Sequence, residues 1–402
     1  MLFKRSTGEY LPLLFFILFS VSQTLFAQAP QLACRSAVLY DVTSGALLFE
    51  KNSDEVIPPA SMTKLMTLHL IFNAVDEGRL ALDQVITVSR NASFKAAPNR
   101  SSLMFLEEGQ RLTVLELMKG LAVSSGNDAS SAAAEAVAGS VPAFVAQMNS
   151  EAKKLGLEKT SFADASGYSS ENRTTASEFA RFCLYYIEKH PASLSMLHSL
   201  EEFTYPEKRH IPPGERSTHG SLTQKNNNVM LGKLEGVDGL KTGFTDESGY
   251  NIALTAEREG RRLLAVVMGV PEERGILTRA IDSTTLISYG FYYYKTFYPQ
   301  LPALPSAKIY RGKERRAELT ASVPAVTLPR DDAGSTVWEI KWGPPLAAPF
   351  KEGTTAARIT LCDKTGAALF TSDVVTKTGA EKGSFGRRVL DSILLFFAGL
   401  FR

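Results

Sequence analysis

Ser61-Met62-Thr63-Lys64 places a hydroxyl and an amine three residues apart. On a helix that spacing puts both on one face, so Ser61 Oγ and Lys64 Nζ can meet. A serine hydroxyl is a weak nucleophile until a base takes its proton, and lysine is such a base only where burial or nearby positive charge keeps it neutral. Alone the pattern is cheap, because a serine-capped helix with a surface lysine reads the same way. Ser125-Gly126-Asn127 lies between the apolar Leu121-Ala122-Val123 and an alanine-rich run. Its plain reading is a helix N-cap, but Ser125 could shuttle a proton while the Asn127 amide holds a substrate carbonyl or fixes Lys64. In Lys241-Thr242-Gly243, Lys241 supplies charge for a carboxylate and Thr242 a hydroxyl donor. The missing side chain of Gly243 lets a peptide backbone lie close against a strand. Two more Lys-Thr-Gly triplets begin at Lys364 and Lys377, one in a turn of a β-rich region and one beside the tail, so neither has the strand-then-helix setting.

Order and spacing decide between these readings. Ser-x-x-Lys, then Ser-x-Asn, then Lys-Thr-Gly resembles the motif set of the penicillin-recognising serine acyl-enzymes. More closely, Pro59-Ala60-Ser61-Met62-Thr63-Lys64-Leu65-Met66-Thr67, Ser125-Gly126-Asn127-Asp128-Ala129 and Val237-Asp238-Gly239-Leu240-Lys241-Thr242-Gly243 resemble the low-molecular-mass penicillin-binding proteins that are D-alanyl-D-alanine carboxypeptidases. The resemblance covers nearly the whole chain. It implies an α/β (α+β) transpeptidase-like domain with a five-stranded antiparallel sheet flanked by helices, followed by a smaller all-β domain. The implied activity removes the terminal D-alanine from peptidoglycan stem peptides, with β-lactams acylating the same serine and no cofactor or metal required. In that reading Ser61 attacks, Lys64 is the general base, and Ser125 and Asn127 assist proton transfer and substrate holding. Lys241 and Thr242 face the terminal carboxylate, and the N–H groups of Ser61 and Phe244 form the oxyanion hole. One departure concerns the basic residue that the family usually carries between two asparagines ahead of the third motif. Here the stretch is Gln224-Lys225-Asn226-Asn227-Asn228, which makes Lys225 the candidate substrate-binding cation in a shifted register.

Related chemistries fit less well. A D,D-endopeptidase cutting cross-links uses the same site and stays open as the alternative. A class A β-lactamase would lack the trailing domain and would carry a Glu-x-x-Leu-Asn deacylation loop, which Glu171-Asn172-Arg173 does not match. A non-catalytic wall-binding protein would have no reason to keep the three motifs in register.

The elements that must position these residues can be read from pattern. Residues 36–40 and 46–49 form a hairpin turning near Gly45, and helices cover 61–75, 114–121 and 129–138. Strands follow at 239–242, 250–257 and 262–270, then a helix at 278–294. Strands first, helices in the middle and strands last suggest a sheet whose first and last strands meet. Beyond Pro299, Pro302 and Pro305, short alternating runs at 317–323, 336–342 and 357–362 mark a β module. Composition agrees with a folded enzyme: 402 residues, net charge +2, 44% hydrophobic and 21% charged exclude disorder and an electrostatically driven nucleic-acid binder. Three scattered cysteines and five histidines without His-Glu-x-x-His argue against a metal enzyme and against a disulfide framework.

Both ends read as addresses. Lys4 and Arg5, the apolar residues 11–19 and the small exit residue Ala27 make residues 1–27 a cleaved secretory signal. Residues 383–402 carry an amphipathic helix with Phe385, Val389, Ile393, Phe396, Phe397 and Leu400 on one side, and its longest uncharged stretch is ten residues. That is about 15 Å of helix, too short to cross a bilayer but suited to lying in its interface. The expected organisation is therefore signal 1–27, catalytic domain 30–295, β-rich domain 303–379 and anchor 383–402. It places an exported protein peripherally on the periplasmic side of the cytoplasmic (inner) membrane. If the assignment of the third motif is right, Lys241→Ala cuts turnover by orders of magnitude, whereas Lys364→Ala and Lys377→Ala leave it nearly intact in the same steady-state assay.

Overall fold

The computed structural model describes residues 29–400, and the expected signal, residues 1–27, lies outside them. The chain opens with a hairpin, β1 (Ser36–Asp41) and β2 (Leu47–Lys51). A 3-10 turn, Ala60–Thr63, runs into α1 (Lys64–Asp76). A ribbon of β3 (Val85–Thr87) and β4 (Arg111–Thr113) leads to α2 (Val114–Lys119), α3 (Asn127–Ala138), α4 (Val141–Lys154) and α5 (Ala176–Lys189). A second ribbon, β5 (Glu202–Tyr205) with β6 (Leu222–Lys225), precedes β7 (Val237–Thr245), β8 (Gly249–Arg258), β9 (Arg261–Val270) and α6 (Gly275–Tyr293).

The hairpin and the three long strands form one antiparallel sheet in the order β2-β1-β9-β8-β7, so the first strand meets the last. Both faces are covered. Val38 and its partner Val266 pack with Leu65 of α1, Ala133 of α3 and Phe182 of α5. Ala37 and its partner Val267 face Leu286 and Ile287 of α6. Double coverage explains why these strands read as continuous apolar runs rather than alternating ones. Two consequences matter for function. Every residue of α1 from Lys64 to Ala74 is buried, so a lysine at its first turn has no water. And β7 is an edge strand, leaving one side free to pair with a peptide.

Sequence pattern marked only the helical stretch around Cys183 and did not delimit α4 or α5, although each carries a start signal. Ser140 caps α4 ahead of Pro142, and Thr175 caps α5 by accepting from Glu178 N.

The β-rich part comprises β10 (Tyr294–Phe297), β11 (Ala307–Tyr310), β12 (Arg316–Ala317), β13 (Leu319–Ala321), β14 (Val326–Pro329), β15 (Val337–Trp342), β16 (Leu346–Ala347), β17 (Thr355–Cys362) and β18 (Ala368–Thr376). Its largest sheet runs β13-β18-β17-β15 over a core of Ile359 and Val374. β10 pairs with β14, so the chain leaving α6 is a strand of this module and not a free linker. Cys34, Cys183 and Cys362 are buried free thiols. The last helix, α7 (Phe385–Leu400), turns its polar side to the module. Asp391 Oδ2 accepts from Arg311 N at 2.6 Å, and Arg387 donates to the carbonyls of Lys313 and Glu314 at 3.2 Å. Its apolar side faces outward, with Phe385 77% and Phe396 67% exposed.

A buried carboxylate joins the two parts. Asp41, fully buried, accepts from Arg261 Nε at 2.7 Å and from Thr296 Oγ1 of β10 at 2.5 Å. Thr296 in turn contacts Thr327 of β14, which meets Ser44 of the hairpin turn. Removing one partner of a buried pair strands the other charge. Asp41→Ala should therefore destabilise the protein by about 3–5 kcal/mol in denaturant unfolding. Lys364→Ala, which breaks the solvent-exposed pair with Asp332, should leave the unfolding midpoint almost where it was.

Candidate active site

Three walls meet at Ser61. The first is the start of α1, where Ala60 adopts φ +50°, a left-handed conformation rare for alanine, and turns Ser61 toward the cleft. Lys64, one turn on, is fully buried. Its Nζ lies 3.1 Å from Ser61 Oγ, 2.8 Å from Asn127 Oδ1 and 2.7 Å from the Ser166 carbonyl. The last two are pure acceptors, so they take two N–H bonds and leave the lone pair of a neutral amine facing the Ser61 hydroxyl. Burial pulls the Lys64 ammonium down to about 7, against the opposing attraction of the Asp164 and Asp128 carboxylates. Lys64 can therefore act as a base near neutral pH.

The second wall begins where α2, started by a Thr113/Glu116 capping box, widens into the π-helical turn Gly120–Ser124. Ser125 follows at φ +58°, and α3 then starts at Asn127. Asp128 holds the flanking segment by accepting from the N–H groups of Met104 and Leu106, each at 2.9 Å. That segment returns Ser101 Oγ to Asn127 Nδ2 at 3.0 Å and the Ser102 carbonyl to Asn127 N at 2.8 Å.

The third wall is β7. Lys241 Nζ donates to Ser125 Oγ at 3.0 Å and to the Thr242 carbonyl at 3.2 Å, and both Lys241 and Thr242 are buried. Burial, then the positive charges of Lys64 and Arg279, hold the Lys241 ammonium well below its usual range. An arriving carboxylate offsets both effects and restores the charge. A side chain at Gly243 would put its Cβ 2.6 Å from the Pro59 carbonyl and 3.1 Å from Ser61 N, so only glycine lets the strand lie against the nucleophile's backbone. The next residue, Phe244, stacks on Tyr250 at 4.4 Å between ring centroids.

Eight of the nine expected residues thus come together: Ser61, Lys64, Ser125, Asn127, Lys241, Thr242, Gly243 and Phe244. Lys225 does not. On β6, opposite Glu202, its side chain is exposed, and the neighbour Gln224 instead reaches the cleft-flanking segment by donating to the Leu103 carbonyl at 2.8 Å. Strand alternation is the reason, since a shift of one residue turns a side chain to the opposite face. The additional cation is Arg279 of α6, 3% exposed, which donates to the Asn227 carbonyl at 3.0 Å and sends its field to Lys241.

Pattern reading also missed the loop that holds Lys64 from below. Asp164 accepts from Ser166 N and Gly167 N at 2.6 Å and from Ser169 N at 2.6 Å, closing a turn that aims the Ser166 carbonyl at Lys64. Burial pushes the Asp164 carboxyl up, but these hydrogen bonds outweigh it and hold it below the usual range. Gly167, at φ +84°, would with a Cβ stand 1.8 Å from the Ala60 carbonyl. Asp-x-Ser-Gly is a recognisable Asx-turn signal, but nothing local says what such a turn faces.

Comparison with known proteins agrees with this geometry. Residues 23–272 match the family described as D-alanyl-D-alanine carboxypeptidase. The chain belongs to that family. It is a serine-type D-alanyl-D-alanine carboxypeptidase by fold and by relatives. The carboxypeptidase DacF of Bacillus subtilis is 33% identical, the alignment covering 87% of each chain. Penicillin-binding protein 5 of Haemophilus influenzae superposes with a TM-score of 0.77 at 28% identity, covering 88% of this chain and 99% of that one. Penicillin-binding protein D2 of Listeria monocytogenes, solved in its cefotaxime-bound form, gives 0.55 at 30% identity over 65% of this chain and 98% of that one.

A general-base role for Lys64 requires its neutral form. The kcat/KM profile should therefore show an acid limb with its midpoint near 7, falling about tenfold per pH unit below it. Because the Asp164 charge raises the Lys64 pKa, Asp164→Asn should move that limb to lower pH. A limb that moved upward or stayed put would remove Lys64 as the group it reports.

Proposed function

We propose that the protein trims the terminal D-alanine from peptidoglycan stem pentapeptides through a Ser61 acyl-enzyme, on the periplasmic face of the cytoplasmic membrane. The observation that carries the chemistry is the Lys64 amine, held by two carbonyl-type acceptors with its remaining position on Ser61 Oγ. The substrate's terminal carboxylate sits at Lys241 and Thr242, in a field to which Arg279 adds. Lys64 takes the Ser61 proton as Oγ attacks the penultimate D-Ala carbonyl. The oxyanion is received by the N–H groups of Ser61 and Phe244, brought side by side because Gly243 packs on the Ser61 backbone. Each such donor is worth roughly 2.7–4 kcal/mol in the transition state. When the intermediate collapses, the proton passes to the leaving D-alanine nitrogen, with the Ser125 hydroxyl, oriented by Lys241, as relay. Water, deprotonated by Lys64, then hydrolyses the ester and frees Ser61. A β-lactam presents the same carbonyl and carboxylate and acylates the same oxygen.

Attachment to the membrane is supported by α7. Its Arg387 and Asp391 are committed to the β module, while Phe385, Leu390, Ile393, Phe396 and Phe397 are exposed. Burying a few such side chains in a lipid interface contributes about 1.5–3 kcal/mol each when complete. Among the described residues no single helix is long and apolar enough to span a bilayer.

The test uses mature protein incubated with a pentapeptide and with a cross-linked muropeptide dimer. Release of D-alanine from the first, with the dimer left intact, is the expected result, and cleavage of the dimer alone would replace this reading with the endopeptidase. Fluorescent penicillin should label the wild type and not Ser61→Ala. A chain ending at Gly379 should stay soluble and still take the label, whereas the full chain should sediment with lipid vesicles.

A further inference from the structure

At the outer rim of the cleft, the three consecutive residues Asn99, Arg100 and Ser101 touch the loop below Lys64, the turn after β7 and the second wall. Asn99 offers its carbonyl to the Tyr168 hydroxyl, at 3.4 Å, from the loop that supports Lys64. Arg100 NH1 donates to Asp246 Oδ2 at 3.3 Å, in the turn that follows β7. The next residue, Ser101, contacts Asn127. Arg100 adopts φ +62°, a left-handed conformation that a non-glycine residue takes up at a cost. Neither charge is otherwise engaged: among the described residues Arg100 and Asp246 have only each other, and they are 79% and 56% exposed. A pair so exposed holds weakly and opens readily.

The position of this pair along β7 gives it a meaning, resting on the carboxypeptidase reading above. The leaving-group carboxylate lies at Lys241 and Thr242 and the reacting carbonyl at Phe244, so the strand runs from leaving group to acyl donor. Asp246 lies two residues further, in the turn that follows β7 at the acyl-donor end of the strand. A peptide that continues past Phe244 in this direction carries the residue preceding the two D-alanines toward this turn. The interior of the cleft carries the basic groups of Lys241 and Arg279, and the substrate's own carboxylate complements them. At the rim the complementary group is the Asp246 carboxylate.

We propose that Asp246 is a specificity residue that accepts a side-chain ammonium on the residue preceding D-Ala-D-Ala, and that Arg100 is the built-in competitor that a cationic side chain displaces. The preferred donor is thus a stem peptide whose third side chain still carries its free amine. A donor already acylated on that amine loses the contact.

The test compares kcat/KM for Nα-acetyl-Lys-D-Ala-D-Ala and Nα,Nε-diacetyl-Lys-D-Ala-D-Ala in the full mature chain, the wild type against three variants. The wild type should favour the free ammonium by up to about fivefold, the ratio that one exposed ion pair supports. Asp246→Asn should abolish that preference, Arg100→Gln should enlarge it, and Asp246→Lys should invert it. High salt should shrink the wild-type ratio. A merely structural role for the strap would change both substrates alike and leave the ratio constant across the four proteins, and that result would overturn the proposal. If neither substrate were hydrolysed, the carboxypeptidase reading itself would fail, a distinct outcome from an unchanged ratio.

Discussion

The structure depends on one desolvated amine. Burial shifts the Lys64 pKa from its ordinary value down to about 7, a preference, relative to water, for the neutral form. That preference exists because α1 is covered on all sides, by the sheet behind it and by α3 and α5 around it. The surrounding acceptors are chosen accordingly. A carboxylate in contact with Nζ would pull the proton back onto it, whereas the Asn127 amide oxygen and the Ser166 carbonyl orient the amine without that penalty. Asp164 and Asp128 stand one step back, their oxygens engaged by backbone N–H groups, and leave Lys64 poised rather than fully neutralised.

Backbone strain is concentrated at the same place. Ala60 and Ser125 both adopt left-handed conformations beside the groups that do the chemistry, and a π turn sets the approach to Ser125. Such conformations persist only where the surroundings over-determine them. Here the surroundings include two glycines, Gly167 against the Ala60 carbonyl and Gly243 against the Pro59–Ser61 backbone, each at a separation no Cβ tolerates. Three chain segments far apart in sequence can approach to backbone contact only because those side chains are missing.

The β-rich part is fastened to the catalytic domain through buried Asp41, which accepts from Thr296, through Arg261, which donates to the Tyr294 carbonyl, and through the contact of Ser44 with Thr327. Catalytic residues lie on the other strands and helices, so attachment and chemistry are physically separate jobs. Among the described residues α7 bonds to the module through Arg387 and Asp391 while most of its large apolar side chains are exposed, the opposite of how a helix docked on its own core would be arranged.

Sequence by itself singled out Ser61, Lys64 and the second and third motifs, which the fold then brings together, since each is a short-range pattern whose chemistry depends on residue type and order. It also suggested the sheet in outline, since strand-like runs at both ends of a helical middle point to first and last strands that meet, as β1 and β9 do. It left out Asp164, Ser166 and Arg279, whose roles arise from what they face across the fold and not from their neighbours in the chain. It also misplaced the additional cation. Lys225 has the right charge near the right motif, yet the two-residue period of a strand sends it to solvent while Arg279 arrives from α6. A local pattern can say which group is reactive. Only the tertiary structure, which sets burial and the distance between remote segments, decides that the lysine is neutral and which charges surround the substrate.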